Sequence, residues 1–104
     1  MEIYRQGDVI LEKVDGIPIQ HVKVANTFET KGETGESHVL TAEVFSPIRV
    51  RGVAIPQVQV IQVGEGGAIM NHPQHPSLPI PAGIYRPRKV RTYSEQRSYV
   101  YVDD

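Results

Sequence analysis

The chain has 104 residues, no cysteine and a formal net charge of −1, with 39% hydrophobic and 22% charged residues. This length suits one core, so we expect a single domain over residues 1–104. The lack of cysteine excludes disulfides and thiolate metal sites and is compatible with a reducing compartment, so we expect a cytoplasmic protein. No apolar run approaches the ~20 residues that span a bilayer, which argues against a membrane partner.

Charge is distributed unevenly along the chain. Residues 1–45 carry four bases and eight acids, whereas residues 46–104 carry seven bases and four acids. Residues 67–93 contain no acid, and their bases are Arg86, Arg88, Lys89 and Arg91. This segment is a candidate anion-binding surface. The near-zero net charge argues against nucleic acid as a partner.

The first half of the chain shows two strand patterns and one gap. Residues 8–14 are short, β-branched and closed by Asp15-Gly16, a pair typical of turns. Residues 26–36 show no pattern, and we predict a mobile surface loop or lid there. Residues 37–45 alternate, which predicts a strand with one face formed by His38, Leu40, Ala42 and Val44.

The second half continues the β pattern. Residues 57–60 alternate and then slip by one position, which indicates a bulge or a change of sheet. Gly64-Glu65-Gly66-Gly67 predicts a hairpin loop. Residues 84–92 and 98–102 predict a final pair of strands, joined through residues 93–97 by a turn or one helical turn. With eight prolines and nine glycines leaving little room for helices, we predict an all-β fold, a small antiparallel β-barrel or jelly-roll-like sandwich.

Two of the four histidines lie in His72-Pro73-Gln74-His75-Pro76. Proline at the second position favours a type I or II turn, which brings the first and fourth Cα atoms within about 7 Å. The second proline restricts His75 to an extended conformation. Rigidly held imidazoles are what a metal site needs. The alternative is a proline-rich surface turn in which the histidines are incidental.

Further ligand candidates lie in the alternating strand. Glu36 and His38 are two residues apart, so their side chains share a face. Glu43 lies on the opposite face of an unbroken strand, and a bulge would be needed to bring it round as a further ligand or base. We predict a metal site with three nitrogen ligands and one oxygen ligand, suited to Zn, Fe(II), Mn or Ni and formed by His38, His72, His75 and Glu36. The alternative is an exposed acid beside a half-buried histidine. The sequence leaves open whether the protein is an enzyme and predicts no catalytic residue.

A series of motifs runs along the chain in the order Gln6-Gly7-Asp8-Val9, Gly32-Glu33-Thr34-Gly35-x-x-His38-Val39-Leu40, His72-x-x-His75, and Leu78-Pro79-x-Pro81-Ala82-Gly83-x-Tyr85. This series resembles a small family of bacterial and phage β-barrel proteins that has no established activity. Where members of that family carry Gly-His-Ser-His, this chain has Gly35-Glu36-Ser37-His38.

A looser resemblance is to the cupin superfamily of small jelly-roll barrels, many of which hold a metal. Glu36-x-His38-x-x-x-x-Glu43 is similar to the first cupin motif, with Glu in the leading position in place of His. Pro81-Ala82-Gly83-Ile84-Tyr85-Arg86 is similar to the second motif, but it ends in Arg86 where cupins have a histidine ligand. The resemblance implies a metal site in which His72 or His75 substitutes for that ligand, or an anion site that uses Arg86.

Residues 85–93 interleave cations with tyrosines. On a strand, Arg86 and Arg88 share one face and Lys89 and Arg91 share the other, while Pro87 favours an edge strand. The structural alternative is a solvated edge, on which these cations only block unwanted sheet pairing. The alternative function is therefore a non-enzymatic interaction module, such as a phage or accessory protein. It would bind an anionic or protein partner through Arg86, Arg88 and Arg91. A small-molecule partner and a homodimer that covers the sheet faces are further expectations.

Overall fold

The part of the chain that the computed structural model describes contains eleven strands and no helix. This part comprises residues 2–32, 35–48, 58–93 and 98–103, with side chains described through Val90. The strands are β1 Ile3–Gln6, β2 Val9–Val14, β3 His21–Ala25, β4 Phe28–Lys31, β5 Ser37–Leu40, β6 Glu43–Pro47, β7 Val60–Val63, β8 Ala68–Asn71, β9 Leu78–Ile80, β10 Gly83–Tyr93 and β11 Ser98–Asp103. They form two antiparallel sheets in a single compact domain, which confirms the all-β prediction.

The larger sheet has the order β1-β2-β10-β7-β6-β3, with β11 also paired to β10. Strand β10 pairs with β2 along one edge and with β7 and then β11 along the other. The expectation of an edge strand around Pro87 is therefore wrong. Pro87 lies after Tyr85, the last residue paired with β7, and before Arg88, the first paired with β11. A residue without an N–H is tolerated at this gap because no second neighbour pairs there.

The smaller sheet has the order β4-β5-β8-β9. The single strand predicted over residues 37–45 is divided, because β5 belongs to the smaller sheet and β6 to the larger one. The predicted face is nevertheless confirmed, since its members are all buried, with exposed fractions of 0% for His38, 0% for Leu40, 6% for Ala42 and 5% for Val44. The chain crosses between sheets here and keeps one face directed to the interior.

Two loop predictions were wrong. The stretch predicted as a loop at residues 26–36 contains β4, whose Phe28 is only 4% exposed and packs in the core. A single buried aromatic among polar residues gives no alternation to detect. The Gly64–Gly67 segment is not a hairpin loop, because β7 and β8 belong to different sheets. It forms a turn in which Gly67 N–H donates to Gly64 O at 3.1 Å.

One hydrophobic core holds the domain together, drawing on both sheets. Its largest fully buried side chain is Tyr85, whose hydroxyl donates to Pro81 O at 2.7 Å and whose ring meets Tyr4 edge-on at 5.8 Å. The two sheets do not close into a barrel over the described residues, so the barrel and jelly-roll architecture stays a prediction. The predicted turn at residues 93–97 lies, apart from Tyr93, outside the described residues. The described part of the chain has no helix that could cross a membrane.

Candidate functional site

Three histidines from two separate segments lie together where the sheets meet. His38 is in β5, while His72 and His75 follow β8 in the connection to β9. The ring centroids are 4.3 Å apart for His38 and His72, 4.5 Å for His72 and His75, and 5.8 Å for His38 and His75. The larger sheet reaches this cluster through the two-residue hairpin Gly7-Asp8 that joins β1 to β2. Five strands thus converge on one small polar centre.

Gln6 fixes the orientation of His38. The Gln6 side-chain amide donates from Nε2 to Met70 O at 2.9 Å and to Pro76 O at 2.8 Å. Because both amide hydrogens are used, Gln6 Oε1 must be the atom that faces His38 Nδ1, 2.9 Å away. His38 therefore carries a proton on Nδ1 and donates it to Gln6. Gln6 is 3% exposed, so this bridge is shielded from water.

The second nitrogen of His38 faces a carboxylate. His38 Nε2 lies 3.2 Å from Asp8 Oδ1, and the two side chains are 0% and 11% exposed. Burial lowers the pKa of His38, the hydrogen bond to Asp8 raises it, and the neighbouring histidines lower it, so the net shift is downward. In the neutral ring, the lone pair of Nε2 faces the Asp8 oxygen. Two acceptors then face each other, and a cation between them would satisfy both.

In its neutral form, His72 carries its proton on the other ring nitrogen from His38. Gln74 N–H donates to His72 Nδ1 at 3.0 Å, so Nδ1 is an acceptor and the neutral ring carries its proton on Nε2. His72 is 7% exposed, and its Nε2 is buried without a hydrogen-bond partner in the described part of the structure. A buried N–H without an acceptor is costly. His72 therefore presents a donor that a ligand could satisfy.

His75 lies against the hairpin that carries Asp8. A Cβ added to Gly7 would lie 2.5 Å from His75 Nε2, and Gly7 has a φ of 58°. Glycine is thus required at this position both for its left-handed backbone and for the approach of the imidazole. Gly32 has a similar role beside His38, since its Cβ would lie 2.8 Å from His38 Nε2 and 3.0 Å from Asp8 Oδ1.

Glu36, the predicted oxygen ligand, precedes β5 by one residue. Its Oε2 is buried without a hydrogen-bond partner within the described segments, and its backbone oxygen accepts from Gly32 N–H at 2.8 Å. No contact between Glu36 and the three rings is seen among the described residues. As the side chains stand there, no three or more His, Asp or Glu side chains have the geometry of a metal site.

The predicted anion site lies elsewhere, on β10. Arg86 Nη2 is 3.4 Å and Arg88 Nη2 is 3.7 Å from Glu12 Oε1, across the β2–β10 pairing. The acid-rich first half of the chain thus supplies a counter-charge to the basic second half. The side chain of Arg91 lies outside the described part.

Sequence reasoning missed Gln6 and Asp8. Both are remote in the chain from the histidines, by 32 residues for Gln6 and His38 and by 30 for Asp8 and His38. The sequence carries one signal for Asp8. Gly7-Asp8 is a pair typical of two-residue hairpin loops, and it would have predicted Asp8 at the exposed end of a hairpin.

Comparison with known proteins adds a family and no activity. No curated protein and no solved structure matches the chain. The model of one family, described as a domain of unknown function (DUF8820), matches residues 5–90. That span contains Gln6, Asp8 and all three clustered histidines. The chain therefore belongs to the DUF8820 family.

Proposed function

We propose that the protein binds a divalent metal ion at the histidine cluster, held between His38 Nε2 and Asp8 Oδ1. The observation that carries the proposal is the fixed tautomer of His38. Gln6 Oε1 accepts the hydrogen bond from Nδ1, so in the neutral ring Nε2 carries the lone pair, 3.2 Å from the Asp8 oxygen. Two ligand atoms that share an ion at about 2.1 Å, at angles of about 90–110°, are roughly 3.0–3.4 Å apart. The observed distance falls in this range.

The surroundings of His38 support this proposal. A ligating histidine commonly donates its other ring N–H to a fixed acceptor, which orients the ring and raises its basicity. Gln6 supplies that acceptor and is itself anchored by two backbone carbonyl groups.

The remaining ligands must come from groups that can move. His75 is partly exposed, so a rotamer change costs it less than it would cost a fully buried side chain. Glu36, with its buried and unpartnered Oε2, supplies a further oxygen. His72 is not a ligand in this proposal, because its proton is on Nε2. A set of two nitrogens and two oxygens suits Zn, Fe(II), Mn or Ni.

The test compares two variants, Asp8→Asn and Glu12→Gln, in each of which a carboxylate is replaced by the matching amide. Untagged protein is titrated with Zn²⁺ and with Mn²⁺ by calorimetry, for the wild type and for Asp8→Asn and Glu12→Gln. We expect about one ion per chain and, in Asp8→Asn, an affinity lower by at least ~10- to 100-fold. Glu12→Gln should bind as the wild type does, because Glu12 pairs with arginines outside the cluster. A folded wild type that takes up far less than one ion per chain would overturn the proposal, as would unchanged binding by Asp8→Asn.

The alternative function, an interaction module that binds an anionic or protein partner through β10, has weaker support. Arg86 and Arg88 lie side by side there, with Nη2 atoms 3.4 Å and 3.7 Å from Glu12 Oε1. The arginines are already in reach of Glu12, however, and a partner would have to compete with it. A partner captured from a lysate that still binds Arg86→Glu would exclude this alternative.

A further inference from the structure

We propose that β4 pairs antiparallel with β4 of a second copy of the chain, which joins the smaller sheets of two copies into one sheet of eight strands. β4 is the last strand in the order β4-β5-β8-β9, so one of its edges has no neighbouring strand over the described residues. The pairing uses no side chain of the proposed metal site and does not depend on that site.

The hydrogen bonds of the β4–β5 hairpin determine which residues of β4 face the open edge. Gly32 N–H donates to Glu36 O at 2.8 Å, one position beyond the end of β4 and in the same register. Hydrogen-bonded and non-hydrogen-bonded pairs alternate along an antiparallel ladder, so Thr30, two residues earlier, also directs its N–H and C=O groups toward β5. Glu29 and Lys31 therefore direct their N–H and C=O groups toward the open edge.

Charge selects one register for the pairing of two copies. Hydrogen bonds form across the edge only where outward-directed groups lie opposite one another, so a two-fold axis can pass Glu29, Thr30 or Lys31. Pairing about Glu29 or about Lys31 places that residue opposite its own copy, and like charges directly opposite are destabilising. Pairing about Thr30 places Glu29 of each copy opposite Lys31 of the other. This register forms two pairs of opposite charge.

Both charged side chains are accessible for this pairing. Glu29 and Lys31 are exposed and lie on the outer face of the smaller sheet, whereas Phe28 is directed into the core. Neither Glu29 nor Lys31 forms an ion pair with another described residue. A second copy supplies the complementary charges by symmetry, whereas a strand of another protein would need them at the same spacing.

The other edge strands of the described sheets are less suited to such pairing. β3 has an irregular register between Lys23 and Ala25, and the middle residue of β9 is Pro79, which has no N–H. β1 lies beside β9 and carries Arg5 but no acid, so its own copy offers no opposite charge. Bulges, prolines and charges commonly protect an edge from pairing. In β4 the two charges have opposite sign, so they permit one specific pairing.

The test exchanges these charges and follows the mass of the protein by sedimentation as the chain concentration rises. The wild type should approach the mass of a dimer. Glu29→Lys and Lys31→Glu each place like charges opposite one another, and each should weaken dimerisation by about 10-fold or more. An equimolar mixture of the two variants should form a heterodimer, because two lysines of one chain then face two glutamates of the other. The double variant with both substitutions should dimerise as the wild type does.

Three outcomes would overturn the proposal. The first is a folded wild type that remains monomeric up to about 1 mM. The second is a dimer that both single variants form as readily as the wild type. The third is a mixture of the two variants that stays monomeric although the wild type dimerises. Circular dichroism checks that each variant retains its fold, which we expect because both positions are exposed.

Thr30→Cys tests the register itself. The chain has no cysteine of its own. In the proposed dimer, residue 30 lies opposite its own copy in a non-hydrogen-bonded pair, with Cα atoms about 4.5 Å apart, which a disulfide can span. Oxidation with diamide should link two copies of this variant. Ser37→Cys is the control, because the two β4 strands separate β5 from its copy. Equal linking of the two variants would contradict pairing about Thr30.

Discussion

The two polar clusters of the molecule differ in how their donors and acceptors match. At the Arg86–Arg88–Glu12 cluster, cations meet an acid, and the side chains remain 27%, 23% and 19% exposed. At the histidine cluster, His38 Nε2, which is an acceptor in the neutral ring, faces the Asp8 oxygen, while His72 Nε2 has no hydrogen-bond partner in the described structure. The charges of the first arrangement face one another, although Arg86 Nε is buried without a hydrogen-bond partner among the described residues. In the proposed site, a cation completes the second arrangement.

The difference therefore lies in charge, since the arginines face an acid whereas the neutral ring of His38 faces a carboxylate. A protein gains nothing in stability from burying groups whose hydrogen bonds are unmet, since each costs about 1–3 kcal/mol. An arrangement that retains such groups beside a fixed tautomer is better explained by a ligand that satisfies them. Charge alone would have pointed to the arginines, whose segment contains no acid in the sequence.

The largest expected effect follows from removing the anchor of the histidine cluster. Gln6→Ala would remove the side-chain donor to Met70 O and Pro76 O and the acceptor of His38 Nδ1, and we expect the free energy of unfolding to fall by about 2–4 kcal/mol. Urea unfolding followed by circular dichroism measures this change. The matched control is Gln59→Ala, because Gln59 donates only to Ser46 Oγ at an exposed site. A loss no larger than that of the control would show that the cluster is not held by Gln6.

The next effect tests the contact between the hairpin and His75. Gly7 and Gly66 both have left-handed backbones, with φ values of 58° and 89°, but only the Cβ of Gly7 would meet a neighbour within 4 Å. Alanine at either position should cost about 1–2 kcal/mol through its backbone. Gly7→Ala should cost about 1 kcal/mol more, because it displaces His75, and it should also weaken metal binding. Equal losses in unfolding experiments would mean that His75 moves away without cost.

Much of the fold was predictable from the sequence, and the reason is periodicity. The inward face of His38, Leu40, Ala42 and Val44 follows from alternation, and the exclusion of helices follows from the spacing of proline and glycine. Strand β4 could not be found, because Phe28 is its only buried residue. Periodicity also could not predict that β5 and β6 belong to different sheets. The alternation of buried residues continues without interruption where the chain passes from one sheet to the other.

The site was predictable only where its residues share a local motif. His72 and His75 were singled out by their prolines, and His38 by its strand. Asp8 and Gln6 reach the cluster through pairings between distant segments, which no local pattern encodes. The tautomers that distinguish His38 from His72 depend on Gln6 and on Gln74 N–H, so they require coordinates.

A smaller effect on stability is expected from Tyr85, whose hydroxyl already has a hydrogen-bond partner. Tyr85→Phe should cost about 1 kcal/mol, by removing the hydrogen bond to Pro81 O. Burial, with Tyr4 and Glu2 nearby, raises the pKa of Tyr85 above 10.0. Its protonated form therefore contributes stability that is complete below the unfolded pKa of about 10 and is lost as pH rises through the folded pKa.

Unfolding in urea between pH 8 and pH 11 measures this dependence. The loss of stability at high pH should be smaller in Tyr85→Phe than in the wild type. Tyr4→Phe is the comparison, since it keeps the Tyr85 hydroxyl but removes a second phenol whose pKa is raised by burial and by Glu2, so it should lose only part of the dependence. If Tyr85→Phe follows the wild-type profile, the phenol of Tyr85 does not determine the behaviour at high pH.

The smallest effect should come from the arginine cluster. Glu12→Gln removes the counter-charge of Arg86 and Arg88, yet partly exposed pairs are weak, so we expect a loss of at most about 1 kcal/mol. The loss should shrink in 1 M salt, because the repulsion left between the two arginines is screened. Urea unfolding at low and high salt measures both values. A loss above about 2 kcal/mol that persists in 1 M salt would show that this cluster also depends on buried polar contacts, and the contrast between the two clusters would no longer support the binding site proposed at the histidines.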